Sequence, residues 1–513
     1  MIQGLFPNGA LDPDGKKISI QSLLFGHRLK PQQTRYEYLV EFLQVTLAKK
    51  RIQNSENKVT SDMFPISEEL NNHVLEYMPI SNMGLKRFIF FENSRLETKA
   101  PIDRDAYLKC RDILNKSIKI EGADITEKES LFILQNILYG FSIENIGRSW
   151  FNKSLLPICP EVIFPESLAR KEKREGVSLD EPDIDNSFDF NSYTYMARGG
   201  EIYYLHMLHA INNGGEERKK VFENQISKML NSIPELSVIS NFIQDRWSES
   251  IDYEEFDVNE YVVKKRLGAI PLEYSNRDNM SLNEMICFLN NRIQPMEKMN
   301  LMSYGIVLQI FRLMTSTAAK GSLNPGSAWV LDVSNSQRKE YSEIRKLAAH
   351  CYNKNEESIT KYIDIGIEHY YSKNDIEDKD KRRKDADKDT NKLIRKLGKN
   401  MGIIIPITGP GMRMTLSEDV IKFLVMALVP ANSKVTYDFF LDLLYEHFEM
   451  VISSEHYERA MKEGKVVLQS NVAFLNANKE DFAQKLKDCG FLHDLSDATS
   501  IVENPYEGEE DIK

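Results

Sequence analysis

The chain lacks long apolar runs, paired cysteines and any broadly basic region. No stretch approaches the ~18 consecutive apolar residues of a membrane-spanning helix, and residues 1–4 do not begin a signal peptide. The five cysteines are scattered and none forms a CxxC pair, which is typical of reduced cytosolic thiols. We therefore expect a cytoplasmic protein that does not bind a membrane, and we predict no cofactor and no metal ion.

The net charge of −11 is concentrated near the C-terminus. Residues 398–513 contain 11 Lys and Arg against 19 Asp and Glu, a net charge of −8. Surfaces that bind duplex DNA are usually rich in Lys and Arg, because these side chains neutralise phosphates. The charge balance therefore favours protein partners and supports nucleic-acid binding only as a local patch.

Apolar residues recur at helical spacing through much of the chain. We therefore predict a mainly α protein, with a multi-helix body and a small C-terminal α/β winged-helix-like domain. Three Ser/Thr-x-x-Glu patterns predict capping boxes at helix starts: Thr34 with Glu37, Thr126 with Glu129, and Ser281 with Glu284. The predicted segments are an N-terminal helical domain (1–170), a linker (171–185), a middle helical domain (186–372), a charged linker or solvated helix (373–397), the winged-helix-like domain (398–506) and an acidic tail (507–513), for which we expect no fixed structure.

The winged-helix prediction depends on the order of signals after residue 401. A β-prone run at 402–407 turns back at Gly409-Pro410-Gly411, and helix starts follow at Ser417, near Thr436 and at Asn478. A second predicted hairpin, at residues 491–502, would be the wing. Residues 451–474 are an addition to this pattern, and an unrelated α/β cap remains the alternative.

The segment that precedes this domain is unusually charged. Residues 373–396 contain 10 Lys and Arg and 7 Asp and Glu. Such mixed-sign density is expected to bury no face, so we predict a solvated spacer or helix. A hinge that lets the C-terminal domain swing is the functional alternative.

Two candidate sites lie at one predicted helix. Arg198, Gly199 and Gly200 precede it, and a glycine-rich helix start can bind an anion through backbone N–H groups; a simple turn into the helix is the alternative. His206 and His209 are three residues apart on this helix and could both reach a metal ion. No third ligand is in register, so packing histidines are the alternative.

The predicted third helix of the C-terminal domain carries a candidate DNA-binding patch. Its basic residues are Lys479, Lys485 and Lys487. Acidic residues alternate with these lysines, so the patch is local at most.

Short motifs at both ends of the chain carry a resemblance: Phe25-Gly26-His27-Arg28-Leu29, Gln33-Thr34-Arg35-Tyr36-Glu37-Tyr38-Leu39, Arg198-Gly199-Gly200-Glu201 and Leu495-Ser496-Asp497-Ala498. With these motifs the chain resembles uncharacterised bacterial proteins of the kind carried in anti-phage defence clusters. The resemblance implies work beside an ATPase, helicase or nuclease, and it assigns no functional residue.

Three functional hypotheses follow. The first is a non-enzymatic scaffold or adaptor subunit of a bacterial, DNA-associated anti-phage defence complex, which docks protein partners through the acidic winged-helix domain. The second is a metal-dependent nuclease or other hydrolase, whose site would be assembled from scattered residues such as Glu161, Glu166, Arg198, Glu201 and His206. The third is a DNA-binding transcriptional regulator.

Overall fold

The computed structural model describes most of the chain and is mainly helical, as the sequence predicts. The described residues are 4–5, 19–29, 33–53, 58–66, 70, 74–79, 82–91, 101–118, 126–143, 153–164, 198–250, 265–324, 326–334, 342–370, 376–468, 471–496 and 499–509. The predicted linker 171–185, Glu166 and the pair Asp497-Ala498 lie outside these ranges. Within them, no helix has both the length and the apolar character needed to cross a bilayer.

The helices before residue 251 form much of the body. They are α1 (Ile20–Phe25), α2 (Arg35–Leu47), α3 (Met83–Phe90), α4 (Pro101–Ser117), α5 (Glu127–Tyr139), α6 (Gly199–Gly214), α7 (Glu216–Leu230) and α8 (Pro234–Ser250). Helices α2 and α5 begin at two of the three predicted capping boxes. In the second box, the backbone N–H of Thr126 donates to Glu129 at 2.7 Å, and the Glu129 N–H donates back to the Thr126 hydroxyl at 3.2 Å. Both predictions are confirmed.

The later helices surround one long buried helix. They are α9 (Asp278–Leu289), α10 (Pro295–Ser322), α11 (Ser342–Tyr370), α12 (Ile376–Asp389), α13 (Asn391–Asn400), α14 (Glu418–Leu428), α15 (Tyr437–Phe448), α16 (Ser454–Lys462) and α17 (Leu475–Asp488). Helix α10 is buried along almost its whole length and packs against α2, α6, α11 and α14. A helix that is apolar on most sides needs neighbours on several faces, so α10 is the centre of the fold.

The strands form small sheets between the helices. They are β1 (Gly4–Leu5), β2 (Lys49–Gln53), β3 (Val59–Thr60), β4 (Val74–Met78), β5 (Lys265–Arg266), β6 (Ile270–Pro271), β7 (Trp329–Val330), β8 (Ile404–Ile405), β9 (Arg413–Met414), β10 (Ser433–Thr436), β11 (Met450–Val451), β12 (Leu492–Ser496) and β13 (Thr499–Asn504). The sheet orders are β1-β6, β3-β2-β4-β5, β8-β9, β10-β13-β12, all antiparallel, and the parallel pair β7-β11.

Most of the local predictions after residue 401 are confirmed. Strands β8 and β9 form the first hairpin, Ser417 and Thr436 are the N-caps of α14 and α15, and β12 pairs with β13. The prediction that Asn478 caps the third helix is wrong, because α17 begins at Leu475. Asn478 is fully buried inside the helix. Its side-chain amide donates to the carbonyl oxygens of Leu331 at 2.9 Å and Ile452 at 3.0 Å.

The C-terminal segment shares its core with the helical body. Helix α14 packs on α9 and α10, and the ring of Phe423 lies 5.1 Å from that of Phe288. A Cβ atom on Gly305 of α10 would lie 2.3 Å from the Phe423 ring, so the two helices are in direct contact at this glycine. The pair β7-β11 adds a backbone connection between the same two parts of the chain.

The charged segment after α11 is helical and partly buried. Helices α12 and α13 bury Ala386, Leu393, Ile394 and Leu397, so the prediction that this segment buries no face is wrong. Its few apolar residues lie on one side, and the charged residues occupy the other.

The residues that follow Tyr506 are held by the body. The Arg292 N–H donates to the Glu507 carbonyl at 2.8 Å, and the Glu509 N–H donates to the Asn290 carbonyl at 2.7 Å. Lys298 forms an ion pair with Glu509 at 2.6 Å. The expected lack of fixed structure is therefore wrong for residues 507–509, and residues 510–513 lie outside the described part.

Candidate functional site

The Arg198-Gly199-Gly200 motif starts α6 in direct contact with α2. A Cβ atom on Gly199 would lie 1.9 Å from the Tyr38 ring. A Cβ atom on Gly200 would lie 2.3 Å from the Tyr38 carbonyl oxygen and 2.5 Å from the Phe42 nitrogen. Glycine is therefore required at both positions for this approach of the two helices.

A carboxylate of the chain itself lies at this helix N-terminus. The Gly200 N–H donates to the Glu41 carboxylate at 3.0 Å, and the Glu41 side chain is fully buried. A negative charge at the start of a helix is stabilised by the free N–H groups and the helix dipole. The Glu41 carboxylate thus supplies the negative charge that the N-terminus of α6 favours. Binding of an external anion by Arg198, Gly199 and Gly200 stays a prediction.

The last residue of the motif, Glu201, is the centre of a buried ionic cluster. Its carboxylate pairs with Arg198, accepts the Gly268 N–H at 2.9 Å and lies 3.5 Å from the His27 ring nitrogen Nε2. Burial by itself raises the pKa of Glu201, but Arg198, His27 and the Gly268 N–H together bring that pKa below its usual value. Glu201 is therefore charged, and this charge holds the start of α6 against the β5–β6 connection.

Residues from three of the four short motifs meet at the start of α6. His27 comes from the first motif, Tyr38 from the second, and Arg198 and Glu201 from the third. The fourth motif includes Leu495, which lies on β12 of the C-terminal sheet. The motifs are thus explained in part by helix packing and buried charge pairing, both of which constrain residue identity strongly.

The two histidines of α6 have different surroundings. His209 is paired with Asp278 of α9 at 2.6 Å. His206 is fully buried, and neither of its ring nitrogens has a hydrogen-bond partner within the described structure. Burial, followed by the nearby Arg277, lowers the pKa of His206 to about 3. Among the described residues no group of three or more His, Cys, Asp or Glu side chains is placed to hold a metal ion.

We expect His206 to make stability depend on pH. Its pKa is 6.5 when exposed and about 3 in the fold, so the unfolded chain binds a proton that the folded chain does not. The free energy of unfolding should therefore fall as pH falls from about 6.5, by up to about 1.4 kcal/mol per pH unit for this one group. Between pH 7 and pH 5, the free energy of unfolding measured in denaturant should fall less in the His206→Leu variant than in the wild type. Equal falls in both proteins would contradict the assignment.

The lysines of α17 are engaged by nearby acids or buried. Lys479 pairs with Asp438 at 2.7 Å, and Lys487 pairs with Asp494 at 2.6 Å. Burial lowers the pKa of Lys485, the third of these lysines. The three side chains therefore do not form an exposed row of free positive charge, although DNA contact by them stays a prediction.

The residues proposed for a hydrolase site have separate partners. Glu161 accepts hydrogen bonds from Ser237 at 2.7 Å and Asn241 at 3.0 Å, both on α8. Arg198 and Glu201 bind each other, and His206 lies near Arg277 and His209. The hydrolase hypothesis stays a prediction.

A buried polar network that the sequence patterns did not reveal joins the body to the C-terminal segment. Glu284 is fully buried and accepts from Gln309 of α10 at 2.7 Å, from Arg277 at 3.4 Å and from the His447 ring at 2.8 Å. Arg277 also donates to the His447 carbonyl. The predicted capping box at Ser281 and Glu284 is wrong, because α9 begins at Asp278 and both residues lie inside it.

No local signal could have identified this network. Glu284 and Gln309 are 25 positions apart, and Glu284 and His447 are 163 positions apart.

Comparisons of the chain with protein-family models, curated proteins and solved structures found no match.

Proposed function

We propose that the chain is a non-enzymatic scaffold or adaptor subunit of a cytoplasmic, DNA-associated bacterial defence complex. In this proposal residues 398–506 are an acidic winged-helix-like domain that docks a partner protein, such as an ATPase, helicase or nuclease of the same system. The identity of the complex rests on the motif resemblance alone. The docking role rests on the surface described below.

The order of elements supports the winged-helix-like assignment. A winged-helix domain consists of a helix, a strand, two helices and a hairpin whose last strand pairs with the first strand. Here α14, β10, α15, α17 and the β12–β13 hairpin follow one another, and β13 lies between β10 and β12 in the sheet. The segment with β11 and α16 is inserted before the third helix.

The charges of this region favour a protein partner over DNA. The third helix of a winged-helix domain is often the one that enters the major groove, and here it is α17, whose Lys479 and Lys487 are paired with acids. A duplex would have to compete with these carboxylates for each lysine.

One exposed aromatic residue carries the docking proposal. Phe439, in the first turn of α15, is 51% exposed, although phenylalanine is usually buried. The acids Asp438, Asp442 and Glu446 lie on the same outer side of α15 and are each about half exposed or more, and they pair with Lys479, His456 and Arg459 of the chain itself. A partner with an apolar socket would match the exposed ring of Phe439, since aromatic anchors are frequent binding hot spots.

The test compares alanine variants of two exposed phenylalanines. Affinity capture of the tagged protein, with nuclease treatment, would first identify a stoichiometric partner. Titration calorimetry would then measure the affinity of that purified partner for the wild type and for each variant. We expect Phe439→Ala to weaken binding at least tenfold, equivalent to about 1.4 kcal/mol. Phe132→Ala is the matched control, because Phe132 is 61% exposed on α5 and lies outside the proposed surface.

Equal affinities of the wild type and both variants would exclude Phe439 as the anchor. Absence of any nuclease-resistant partner would exclude the adaptor function itself. Deletion of residues 398–513 is not a suitable substitute, because it would uncover the face of α9 and α10 that α14 covers. A point variant leaves that shared core intact.

A further inference from the structure

The outer face of α12 and α13 carries a continuous row of lysines. Residues 376–400 contain 10 Lys and Arg and 6 Asp and Glu, a net charge of +4 in a chain whose total is −11. The exposed members that we call the lysine row are Lys381, Lys384, Lys388, Lys392 and Lys396. Lys381, Lys384 and Lys388 are three or four positions apart on α12, and Lys392 and Lys396 are four apart on α13, so each set occupies one side of its own helix.

Helices α12 and α13 both lie along α11. Four contacts join them to α11 in antiparallel order: Lys379 to Glu368, Arg383 to Asp364, Asn391 to Thr360, and Arg395 to Glu356. The two helices therefore extend in the same direction, but the 16 positions from Lys379 to Arg395 correspond to only 12 positions on α11, because the chain turns at Thr390. At 1.5 Å per residue of α11, the segment that carries the row extends over about 18 Å.

Three of the four acids whose side chains the structure describes in residues 376–400 are already engaged, whereas most of the row is free. Asp380 pairs with Arg383, Asp387 with Lys392, and Asp389 with Arg28 of the N-terminal region. Within the described structure Lys381, Lys384, Lys388 and Lys396 have no carboxylate or other hydrogen-bond partner. One exposed acid, Asp385, lies beside the row without a partner of its own.

We propose that the lysine row binds the phosphate backbone of duplex DNA without reading its sequence. A row of cations that extends over about 18 Å along α11 matches a rigid duplex, on which phosphates are closely and regularly spaced. Residues 376–400 contain no Phe, Tyr or Trp, so they offer no rings on which the bases of a single strand could stack.

An anionic membrane surface matches the row less well. Helices that lie on membranes place an apolar face next to their basic residues. Here the apolar residues of α13, Leu393, Ile394 and Leu397, are buried in the protein's own core. The negative charge of the whole chain does not prevent local binding, because exposed charges more than about 8–10 Å away are largely screened at physiological salt.

The test is fluorescence anisotropy of a labelled mixed-sequence duplex with the full chain. The variant replaces Lys381, Lys384, Lys388 and Lys396 by Gln. The matched control replaces four exposed lysines on other helices, Lys116, Lys220, Lys320 and Lys462, by Gln, and so has the same net charge. All eight side chains are exposed, so both variants should fold, as circular dichroism can verify.

We expect the wild type and the control to bind the duplex with a logarithmic salt slope of about −4 between about 50 and about 200 mM salt. The row variant should bind at least about tenfold more weakly at the lower salt concentration, with a shallower slope. Asp385→Asn should strengthen binding, because it removes an unpaired negative charge beside the row.

Several results would overturn the proposal. Equal affinities of the row variant and the control would show that binding depends on net charge alone. Binding to phosphatidylserine vesicles, with none to the duplex, would assign the row to a membrane. Failure of the wild type to bind duplex DNA at low salt would exclude the site. None of these measurements involves the partner protein, so they are independent of the Phe439 test.

Discussion

Replacement of Glu284 by Gln should destabilise the protein by about 3–5 kcal/mol. The Glu284 side chain is fully buried and that of Arg277 is only 10% exposed. Little water could therefore solvate the Arg277 guanidinium if the negative charge of Glu284 were removed. Burial lowers the pKa of Arg277, and Glu284 opposes this shift. Glutamine keeps the shape of the side chain but removes its charge, and its amide nitrogen cannot accept the hydrogen bonds that one of the two carboxylate oxygens accepts.

The measurement is the free energy of unfolding in denaturant, with an exposed ion pair as the control. Glu343 and Lys346 are both more than half exposed, so Glu343→Gln should change stability by at most about 1 kcal/mol. Replacing Arg277 and Glu284 together by leucines should cost less than the single Glu284→Gln change, because no buried charge is then left alone. Similar costs for Glu284→Gln and Glu343→Gln would show that the network contributes little.

The second large effect is expected at the start of α6. Gly200→Ala should destabilise the protein by about 2–3 kcal/mol, because the added methyl group would meet the backbone of α2 at 2.3 Å and 2.5 Å. Backbone atoms cannot rotate away, so the two helices would have to separate. The Glu41 hydrogen bond to the Gly200 N–H would be disturbed by the same shift.

A glycine on the same helix provides the control. An added Cβ atom on Gly214 would meet the flexible side chain of Arg218 at 2.8 Å and no backbone atom of another helix. Gly214→Ala should therefore change the free energy of unfolding by about 1 kcal/mol or less. If Gly200→Ala were tolerated equally well, the tight contact of α2 and α6 would not be a determinant of this fold.

Sequence reasoning succeeded where neighbouring residues decide the outcome. The pairs Thr34–Glu37 and Thr126–Glu129 form capping boxes, and Thr436 caps α15, because these bonds need only one helix turn. The turn at Gly409-Pro410-Gly411 has the positive φ angles at both glycines that its composition suggests.

Sequence reasoning failed where distant partners decide. Ser281 and Glu284 have the same spacing as the true capping boxes, but Glu284 is drawn into the core by Arg277, Gln309 and His447. Asn478 is a good capping residue by type, yet its amide bonds two other backbone segments inside the fold, at Leu331–Val333 and at Ile452. The roles of these residues depend on tertiary contacts that no local pattern contains.

The candidate site shows the same division. The Arg198-Gly199-Gly200 motif was recognised as a helix start, but Glu41, which caps it, lies 159 positions earlier. The lysine row lies in a segment whose charge count predicted only solvation. Its place on the outer face depends on the contacts that hold α12 and α13 along α11, which the sequence does not show.

The contact between the Asn290–Arg292 turn and residues 507–509 has a consequence for synthesis. Arg292 and Glu507 are 215 positions apart, so a ribosome adding 5–20 residues per second needs roughly 10–40 s to make the second after the first. Helix α14, which covers α9 and α10, ends at Leu428, 136 positions after Arg292, so it is complete only roughly 7–27 s later. Until then the nascent chain presents the apolar face around Phe288 to solvent, and this is the stage at which we expect chaperone binding to matter most.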